Sequence, residues 1–288
     1  MLRRSLAPFI LLVVSPAAMA INNRSAVSVT GVDTNSCSVA SPCRSFGAAL
    51  AATIDGGEIV ALDSAGYGAF SIAQSVTVTG APGVHAAITA TFGDAIAVTA
   101  GQRVAIGNLY MLGNQLGSNG IHNTGAAFLH VFNSFIQGFV SHGVWSTNSS
   151  AYTVVEHCTV DSNNTGIEID QETGSVDNCS INSNTTGVYY SGGPALVGGN
   201  VTLTTFRFNG TAMQVLSSGG SDIIIDRCSM TVNSDGLVVF GSGNLPAIVL
   251  LTNNVIDSVT ASGNYLLDTA GNNTLRFVTG TLSSLPLQ

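Results

Sequence analysis

The sequence predicts an all-β protein that winds as a parallel β-helix, a solenoid with three short strands in each turn. A glycine-apolar-x motif recurs at Gly120, Gly143, Gly166, Gly187 and Gly236. From Gly120 to Gly236, 116 residues cover five intervals, or about 23 residues per repeat, and a period of that size is typical of repeat architectures. Apolar and polar residues alternate in runs such as residues 154–161, which is the pattern of half-buried strands. Asn, Ser, Thr and Gly fill the intervals, and these residues favour turns.

Equivalent side chains in such a solenoid stack in rows, because each strand pairs with its counterpart one turn away, about 4.8 Å along the axis. Three inward rows are predicted, and each fully buried aliphatic side chain stabilises the fold by roughly 1.5–3 kcal/mol. The first row is Val131, Val155, Val176, Leu203, Ile225 and Leu251. The second is Ile136, Val160, Ile181, Phe208, Met230 and Ile256. The third is Ile121, Val144, Ile167 and Val188.

The glycine-led strand starts, the Asn-rich turns and the residues Asn133, Asn178 and Asn253 resemble the right-handed parallel β-helix proteins of the pectin-lyase-like superfamily. This resemblance implies a right-handed helix and an asparagine ladder, formed by those three residues in the tight turn between the second and third strands. It covers most of the chain. It implies no single activity, because this fold is shared by lyases, hydrolases, tailspikes and proteins without catalytic activity.

Residues 1–20 have the features of a signal peptide. Arg3 and Arg4 precede an apolar segment over residues 6–14, and residues 18–20 form a small-x-small cleavage site,. A membrane anchor is the alternative, but a spanning helix needs about 20 apolar residues. The chain is therefore expected to begin near Ile21 after cleavage and to be exported, to the periplasm, the cell surface or the medium.

Residues 21–57 are predicted to cap the solenoid. Cys37 and Cys43 are expected to form a local disulfide in an exported chain, with a metal site as the alternative. A short amphipathic helix is predicted over residues 46–53, because a solenoid needs a cover over its end. Residues 58–280 then form a single β-helix of roughly nine or ten turns, and residues 281–288 form a tail.

Composition and charge exclude some partners. Charged residues make up 8% and hydrophobic residues 45% of the chain, which argues against disorder. No lysine is present, and without Arg3 and Arg4 the 6 basic and 16 acidic residues give a net charge of 6 − 16 = −10. This balance argues against binding to nucleic acid or an anionic membrane. It also disfavours a polyuronate, unless metal ions bridge the two.

Cys158, Cys179 and Cys228 fall at the same predicted inward position in three turns. We expect them to pack as a row of buried thiols. A disulfide between Cys158 and Cys179 is the alternative, because neighbouring strands bring α-carbons within bonding range. An inward thiol has no access to substrate, which argues against a catalytic role.

The outward residues that follow the marker glycines are His122, Trp145, Glu168 and Tyr189. Aromatic faces stack on sugar rings and carboxylates accept hydrogen bonds from sugar hydroxyls, so this row is the candidate glycan-binding surface. Substrate grooves of the pectin-lyase-like superfamily commonly follow one strand in this way, and the resemblance implies the same. The alternative is that these residues merely favour an exposed strand.

Asp161, Asp170 and Glu172 are expected to lie outward beside this row. Glu168 and Asp170 are two residues apart on one strand, so their α-carbons are about 6.5–7 Å apart. That separation suits the acid and base of a glycoside hydrolase. Together with Asp161 it also suits a Ca²⁺ site, although no cofactor is required, and ordinary solvated acids are the third interpretation. Ser141-His142-Gly143 is similar to the Gly-His-Gly segment of polygalacturonases, but the other motifs of that family are absent.

Two functions follow as hypotheses. The first is an exported, non-enzymatic β-helix that binds a glycan or has a structural role. The second is a polysaccharide lyase or glycoside hydrolase that uses Glu168 and Asp170. The absence of lysine and of family motifs favours the first.

Overall fold

A computed structural model describes residues 22–194, 196–281 and 283–284 of the chain, the last two as backbone only. The predicted signal peptide lies outside the described residues, as do residues 282 and 285–288 of the predicted tail. No helix within the described part is long and apolar enough to span a membrane.

The structure is a right-handed parallel β-helix, as the sequence predicts. The strands are numbered in chain order and fall into three positions within each turn. The first strands form a 12-stranded parallel sheet. They are β1 (Asn22–Val27), β2 (Thr53–Ala61), β5 (Val76–Gly80), β8 (Arg103–Gly107), β11 (Phe128–Phe132), β14 (Tyr152–Glu156), β17 (Thr173–Asp177), β20 (Val197–Thr202), β23 (Ser221–Asp226), β26 (Ala247–Thr252), β28 (Tyr265–Ala270) and β30 (Ser283–Ser284).

The second and third strands together form an 18-stranded sheet. The second strands are β3 (Ala65–Gly66), β6 (Ala86–Thr89), β9 (Leu109–Leu112), β12 (Phe135–Gln137), β15 (Thr159–Asp161), β18 (Ser180–Asn182), β21 (Thr205–Arg207) and β24 (Ser229–Met230). The third strands are β4 (Phe70–Ala73), β7 (Asp94–Ala100), β10 (Asn119–Asn123), β13 (His142–Ser146), β16 (Thr165–Asp170), β19 (Thr186–Gly192), β22 (Thr211–Ser217) and β25 (Asp235–Gly241). The second and third positions merge in β27 (Val255–Gly263) and β29 (Thr274–Thr279).

About eight turns have three separate strands, slightly fewer than the nine or ten predicted. The difference arises near the C-terminal end, where only two residues separate the inward Ile256 and Val259. In a complete turn, six residues separate the equivalent Val160 and Ile167. The shorter spacing leaves no room for a corner, so the strand continues unbroken.

The N-terminal end is covered by α1 (Phe46–Ala52), which matches the predicted capping helix. The Ser45 hydroxyl caps this helix by accepting a hydrogen bond from the Ala48 N–H, a common way to satisfy a free amide at a helix start. Phe46 stacks on Phe70 of the first turn, with ring centroids 4.6 Å apart. The predicted disulfide between Cys37 and Cys43 is present and holds the segment before the helix.

The three inward rows are buried as predicted, except for two members. Val201 occupies the place assigned to Leu203, and Phe206 the place assigned to Phe208. Leu203 and Phe208 are instead 45% and 66% exposed. Both have left-handed backbones, with φ of 51° and 58°, because they lie at the corners before and after β21. Hydrophobicity alone assigns Leu203 and Phe208 to the rows, and each assignment is wrong by two residues.

The predicted asparagine ladder was also assigned to the wrong corner. Asn133, Asn178 and Asn253 are exposed residues with positive φ at the corner between first and second strands. The hydrogen-bonded ladder lies at the corner between second and third strands. It consists of Asn163, Asn184, Asn209 and Asn233, in which each side-chain amide donates to the next Oδ1 over 3.0–3.1 Å.

Cys158, Cys179 and Cys228 are buried free thiols in one row, and Thr204 lies between the second and third of them. No disulfide joins Cys158 to Cys179. The hydrogen bond with Cys158 and burial raise the pKa of Cys179. Burial raises the pKa of Cys228 to about 12, so these thiols act as small core side chains.

The corner between third and first strands absorbs the length differences between turns. In the first and second rows, Val176 and Ile181 are five residues apart, as are Val201 and Phe206. From the third row to the next first-row residue, the separation grows from nine residues after Ile167 to thirteen after Val188. The strand register is therefore independent of loop length at this corner.

Candidate functional site

The predicted row of His122, Trp145, Glu168 and Tyr189 lies along the third strands. The parallel register places His122 beside Trp145, Trp145 beside Glu168, and Glu168 beside Tyr189. All four side chains are half-buried, which places them on the outer face of the sheet. The register continues the row to Gln214.

The Trp145 ring packs against two imidazoles. The ring centroids of His122 and Trp145 are 4.4 Å apart with planes at 9°, and those of His142 and Trp145 are 4.6 Å apart with planes at 17°. The indole Nε1 is buried and has no hydrogen-bond partner among the described residues. Much of the indole is therefore engaged within the protein.

A chain of hydrogen bonds holds these imidazoles. Asp94 accepts at Oδ1 from the Asn119 amide over 2.6 Å, and its Oδ2 lies 3.0 Å from His122 Nδ1. The amide group of Asn119 is thereby oriented with its Oδ1 towards His142, 2.9 Å from the ring Nδ1 and 3.2 Å from the backbone nitrogen. One asparagine thus links the two histidine positions.

His142 continues the chain to the next turn. Its Nε2 lies 2.9 Å from Glu168 Oε2, and both side chains are 14% exposed. Both ring nitrogens face acceptor oxygens, Asn119 Oδ1 and Glu168 Oε2, so both donate only when the imidazole is doubly protonated. In that form His142 and Glu168 make an ion pair.

Glu168 and Asp170 share a hydroxyl. The Ser191 Oγ lies 3.0 Å from Glu168 Oε1 and 2.9 Å from Asp170 Oδ1. The connected residues span five turns and are called the axial network below. Its members are Asp94, Asn119, His122, His142, Glu168, Asp170 and Ser191.

Tyr189 lies next to the carboxylates of this network. Burial, followed by the negative charges of Glu168 and Asp170, raises the pKa of the Tyr189 phenol. The phenol therefore remains a neutral hydrogen-bond donor at all ordinary pH values. It extends the row by one aromatic ring beyond the two carboxylates.

Asp161 lies outside the axial network. Its Oδ2 accepts hydrogen bonds from Gln137 over 3.3 Å and from Ser162 over 2.9 Å. Within the described residues, no group of three or more His, Cys, Asp and Glu side chains has a geometry that could hold a metal ion. A Ca²⁺ site that includes Asp161 stays a prediction.

Glu172 does not lie outward as predicted. Its side chain is buried, with 2% of the residue exposed. The reason is Gln171, whose left-handed backbone (φ 58°) ends the strand alternation and turns the next side chain inward. Burial raises the pKa of Glu172 to about 7; the hydroxyls of Ser146 and Thr153 lower the pKa in part, and Asp170 raises it. Neither carboxyl oxygen has a well-formed hydrogen bond among the described residues.

The first strands carry an aromatic surface that the repeat pattern does not predict. Phe128 stacks with Tyr152, with centroids 6.0 Å apart and planes at 16°. The Arg103 guanidinium lies 4.2 Å from the Phe128 ring centroid. Next to them, His130 Nε2 lies 2.8 Å from Glu156 Oε1. The alternation that predicts Val131 and Val155 as inward residues also predicts that their neighbours face outward. Those outward positions hold the aromatic side chains and could have indicated this surface.

The analysis also missed that His142 and Asn119 connect the row. Both lie three residues before the row position of their strand, and their partners lie on other turns. Asn119 and His142 are direct partners in the strand register, whereas the contact between His142 and Glu168 is diagonal. Periodicity of single positions reveals neither contact.

A family model described as a right handed beta helix region matches residues 21–208. The chain belongs to this family. The match confirms the resemblance to right-handed parallel β-helix proteins that the repeats indicate. No curated protein matches this β-helix at a significant level.

Solved structures similar to this β-helix protein include three that are named for carbohydrates or enzymes. XylC in complex with xylose has a TM-score of 0.62 at 8% identity, covering 87% of this chain and 69% of that one. Pectate lyase Pel9A has a TM-score of 0.46 at 14% identity, covering 82% and 79%. The A-module of an Azotobacter vinelandii mannuronan C-5 epimerase has a TM-score of 0.46 at 13% identity, covering 81% and 92%. At these identities the likeness shows the fold alone.

Proposed function

We propose that this protein is an exported, non-enzymatic β-helix module that binds a glycan along the row of His122, Trp145, Glu168 and Tyr189. The observation that carries the proposal is the alignment of aromatic and carboxylate side chains on successive strands. A glycan chain is itself a repeat, and a row with regular spacing presents the same kind of contact at each step. The Cys37–Cys43 disulfide supports export, because such bonds persist in oxidising compartments,.

The axial network supports binding by holding the carboxylates in fixed positions. Glu168 accepts hydrogen bonds from His142 and Ser191. A carboxylate offers about four acceptor sites, so two remain for sugar hydroxyls. Because the side chain is already ordered, binding loses little further side-chain entropy. Trp145 contributes only the part of its ring that the two imidazoles leave exposed, and Tyr189 is the freer aromatic side chain.

The hydrogen-bond pattern argues against a nucleophilic serine. Ser141 Oγ lies 2.9 Å from His142 Nδ1, and Glu168 lies at the opposite nitrogen, which superficially matches a Ser-His-acid triad. Asn119 Oδ1 faces the same Nδ1 over 2.9 Å and its orientation is fixed by Asp94. A proton on Nδ1 that is directed at Asn119 Oδ1 leaves His142 without the free lone pair that a general base for Ser141 needs.

Glycoside hydrolysis is the second candidate, and one observation favours it. Glu168 and Asp170 approach each other closely enough to share the Ser191 hydroxyl, and retaining glycosidases use closely spaced carboxyl pairs. Such an enzyme needs one carboxyl group in its protonated form. Glu168 instead faces two hydrogen-bonding groups, His142 Nε2 and the Ser191 hydroxyl, which engage it as an acceptor, so we favour binding without turnover.

The test is a binding screen of the purified protein on neutral and acidic oligosaccharides, with and without Ca²⁺. Xylo-oligosaccharides are included because XylC is a protein of similar fold that was solved with xylose. Tyr189→Ala is expected to weaken binding roughly tenfold, in line with the loss of one aromatic contact. Tyr152→Ala, a matched change on the first-strand sheet, is expected to leave it unchanged.

The same samples are analysed for new reducing ends and unsaturated products. Turnover that is lost in Glu168→Gln would establish the enzymatic candidate. Absence of binding to every oligosaccharide, or equal binding by wild type and Tyr189→Ala, would contradict a glycan-binding row.

A further inference from the structure

A groove of about 630 Å³ lies over the second strands β15, β18 and β21, on a different face from the row described above. Three half-buried hydroxyl side chains, Thr159, Ser180 and Thr205, are aligned by the strand register along its floor. Amides and one guanidinium group add further hydrogen-bonding groups. The lining residues that matter below are Asn178, Asn182, Leu203, Arg207 and Phe208.

Left-handed corner residues line both sides of this groove, with His157, Asn178 and Leu203 on one side and Phe208 on the other. The corner after the second strand has smaller residues in two other turns. Ser162 and Ser183 occupy the corner that precedes the third strand in two turns, with φ of 56° and 57°. In the next turn the equivalent residue is Phe208, which follows β21. Leu203 occupies the corner that precedes β21. A left-handed conformation is rare for such side chains and unfavourable by about 1 kcal/mol or more.

Leu203 and Phe208 gain little from folding, since they are 45% and 66% exposed. A bulky apolar residue in a strained and exposed position is more consistent with contact to a ligand than with stability. Both of them flank β21, and Val232 occupies the corner equivalent to Phe208 on the next turn, where it is also left-handed (φ 59°) and 60% exposed.

Arg207 provides a cation at the same turn. It is the last residue of β21, it is exposed, and its guanidinium has no ion pair or side-chain hydrogen bond to another described residue. Asn182 lies beside it in the strand register. Asp161 is the acid in the same register row, two turns or roughly 10 Å away, and it accepts hydrogen bonds from Gln137 and Ser162.

We propose that this groove binds an acidic saccharide, one that carries a carboxylate or sulfate group. Arg207 pairs with the acidic group, for which a guanidinium offers two parallel hydrogen bonds. The hydroxyls of the floor and the amides of Asn178 and Asn182 bind the sugar hydroxyls, and Phe208 packs against a sugar ring. This site is separate from the row on the third strands and does not depend on it.

Other ligand classes fit the groove less well. The second strands beneath it are paired on both sides, so an extended peptide has no free strand edge to join. Nucleic acid requires several cations along its backbone, whereas Arg207 is the one arginine that lines this groove. A polyhydroxylated ligand with widely spaced negative groups matches the single cation and the polar floor.

The proposal is tested by calorimetric titration at low salt with three probes: a neutral oligosaccharide, the same oligosaccharide with a single uronate residue, and the same oligosaccharide with a single sulfate group. We expect at least one acidic probe to bind ten or more times tighter than the neutral one. Arg207→Gln is expected to remove this preference. Arg24→Gln, which makes the same charge change at the other end of the rod, is expected to retain it. The relative affinities of the two acidic probes distinguish carboxylate from sulfate recognition.

Phe208→Ser tests whether the apolar wall of the groove contributes to affinity. The fold should be preserved, because serine occupies the equivalent positions 162 and 183. We expect the affinity for the acidic probe to fall about fivefold. Equal affinity of wild type and Arg207→Gln for the acidic probes, or no preference of the wild type for them, would overturn the proposal. Acidic binding that is lost in Tyr189→Ala but not in Arg207→Gln would also overturn it, by assigning such ligands to the other face. Equal glycan binding by wild type and Tyr189→Ala contradicts the row on the third strands and leaves the proposal for this groove intact.

Discussion

His142 Nε2 and Glu168 Oε2 are 2.9 Å apart across one turn of the β-helix, and each side chain is 14% exposed. The same pairing occurs on the first strands, where His130 Nε2 lies 2.8 Å from Glu156 Oε1, but there the side chains are 30% and 35% exposed. The fold thus contains two histidine–glutamate pairs of equal length and unequal burial.

We expect His142→Ala to lower the free energy of unfolding by about 2 kcal/mol, because it removes the ring's contacts with Glu168 and Asn119 and leaves a largely buried carboxylate without one of its hydrogen-bond partners,. His130→Ala is the matched control and should lower it by less than about 1 kcal/mol, since exposed ion pairs contribute little. Urea unfolding at constant pH measures both. Equal losses in the two variants would show that the axial network does not stabilise the fold.

Glu172 should make the stability of the protein depend on pH. Its pKa is raised to about 7, chiefly by burial, above the value of about 4.3 for an unperturbed glutamate. Between these values the folded protein binds more protons than the unfolded chain, so stability falls as the pH rises. Stability attributable to this group is fully present below about pH 4.3, and roughly 3 kcal/mol of it is lost by pH 7 and above.

Glu172→Gln should remove this slope and make the protein more stable than wild type at pH 8. Denaturant unfolding from pH 4.5 to 8 measures the difference, with Glu58→Gln on the surface as control. Asp33, where hydrogen bonds from Ser45 and Arg44 outweigh burial and lower the pKa, contributes its own slope below about pH 4, outside this range. A parallel pH profile for wild type and Glu172→Gln would contradict the buried position of the carboxyl group.

Asn184 should be essential to the ladder. Its Oδ1 accepts from the side-chain amide of Asn163, and its own amide donates to Asn209 Oδ1 and the Val160 carbonyl. Asn184→Ala leaves several buried polar groups without partners and should lower the free energy of unfolding by about 3 kcal/mol or more. Asn178→Ala changes an exposed corner and should lower it by about 1 kcal/mol, the difference for a left-handed residue. A larger loss of stability in Asn178→Ala than in Asn184→Ala would instead support a ladder formed by Asn133, Asn178 and Asn253.

Val160→Asp should yield almost no folded protein, because it places an unpaired charge inside the core. Val160 is fully buried on β15. Thr159→Asp is the matched control, since Thr159 precedes Val160 on the same strand and is directed to the outer face. Soluble yield and cooperative melting of the two variants provide the comparison. A normally melting Val160→Asp protein would be incompatible with the row of inward side chains.

The three free thiols should be inaccessible in the folded state. Burial raises the pKa of Cys228 to about 12, and the reactive form of cysteine is the thiolate. We expect a thiol reagent at pH 8 to label none of Cys158, Cys179 and Cys228 in the native protein and all three after denaturation. Rapid labelling of the native protein would indicate that the row opens locally.

Much of the fold follows from the sequence because the hydrogen-bond register repeats. The row from His122 to Tyr189 lies together as predicted, since the marker glycines fix the start of each third strand. The contacts that connect this row were not predictable in the same way. His142 contacts a carboxylate diagonally on the following turn and the amide of its register partner Asn119 on the preceding one. A pattern of single positions contains no information on such side-chain contacts.

The errors in the orientation of single side chains share one physical cause, a left-handed residue at a corner. Gln171 turns Glu172 into the interior, where alternation predicts an outward carboxylate. Leu203 and Phe208 occupy left-handed corners that most other turns assign to polar residues, with Val232 the apolar equivalent of Phe208 on the next turn. Hydrophobicity alone assigns them to the core, because sequence patterns carry no signal for a bulky residue that tolerates positive φ.

Loop length at the corner between third and first strands varies without disturbing the register. The 21 residues that separate Ile167 from Val188 are consequently close to a self-contained module. A duplicated copy of this segment would lengthen the rod by one rung and extend both outer faces together. Duplication of single turns can therefore match the length of a binding surface to the length of its ligand.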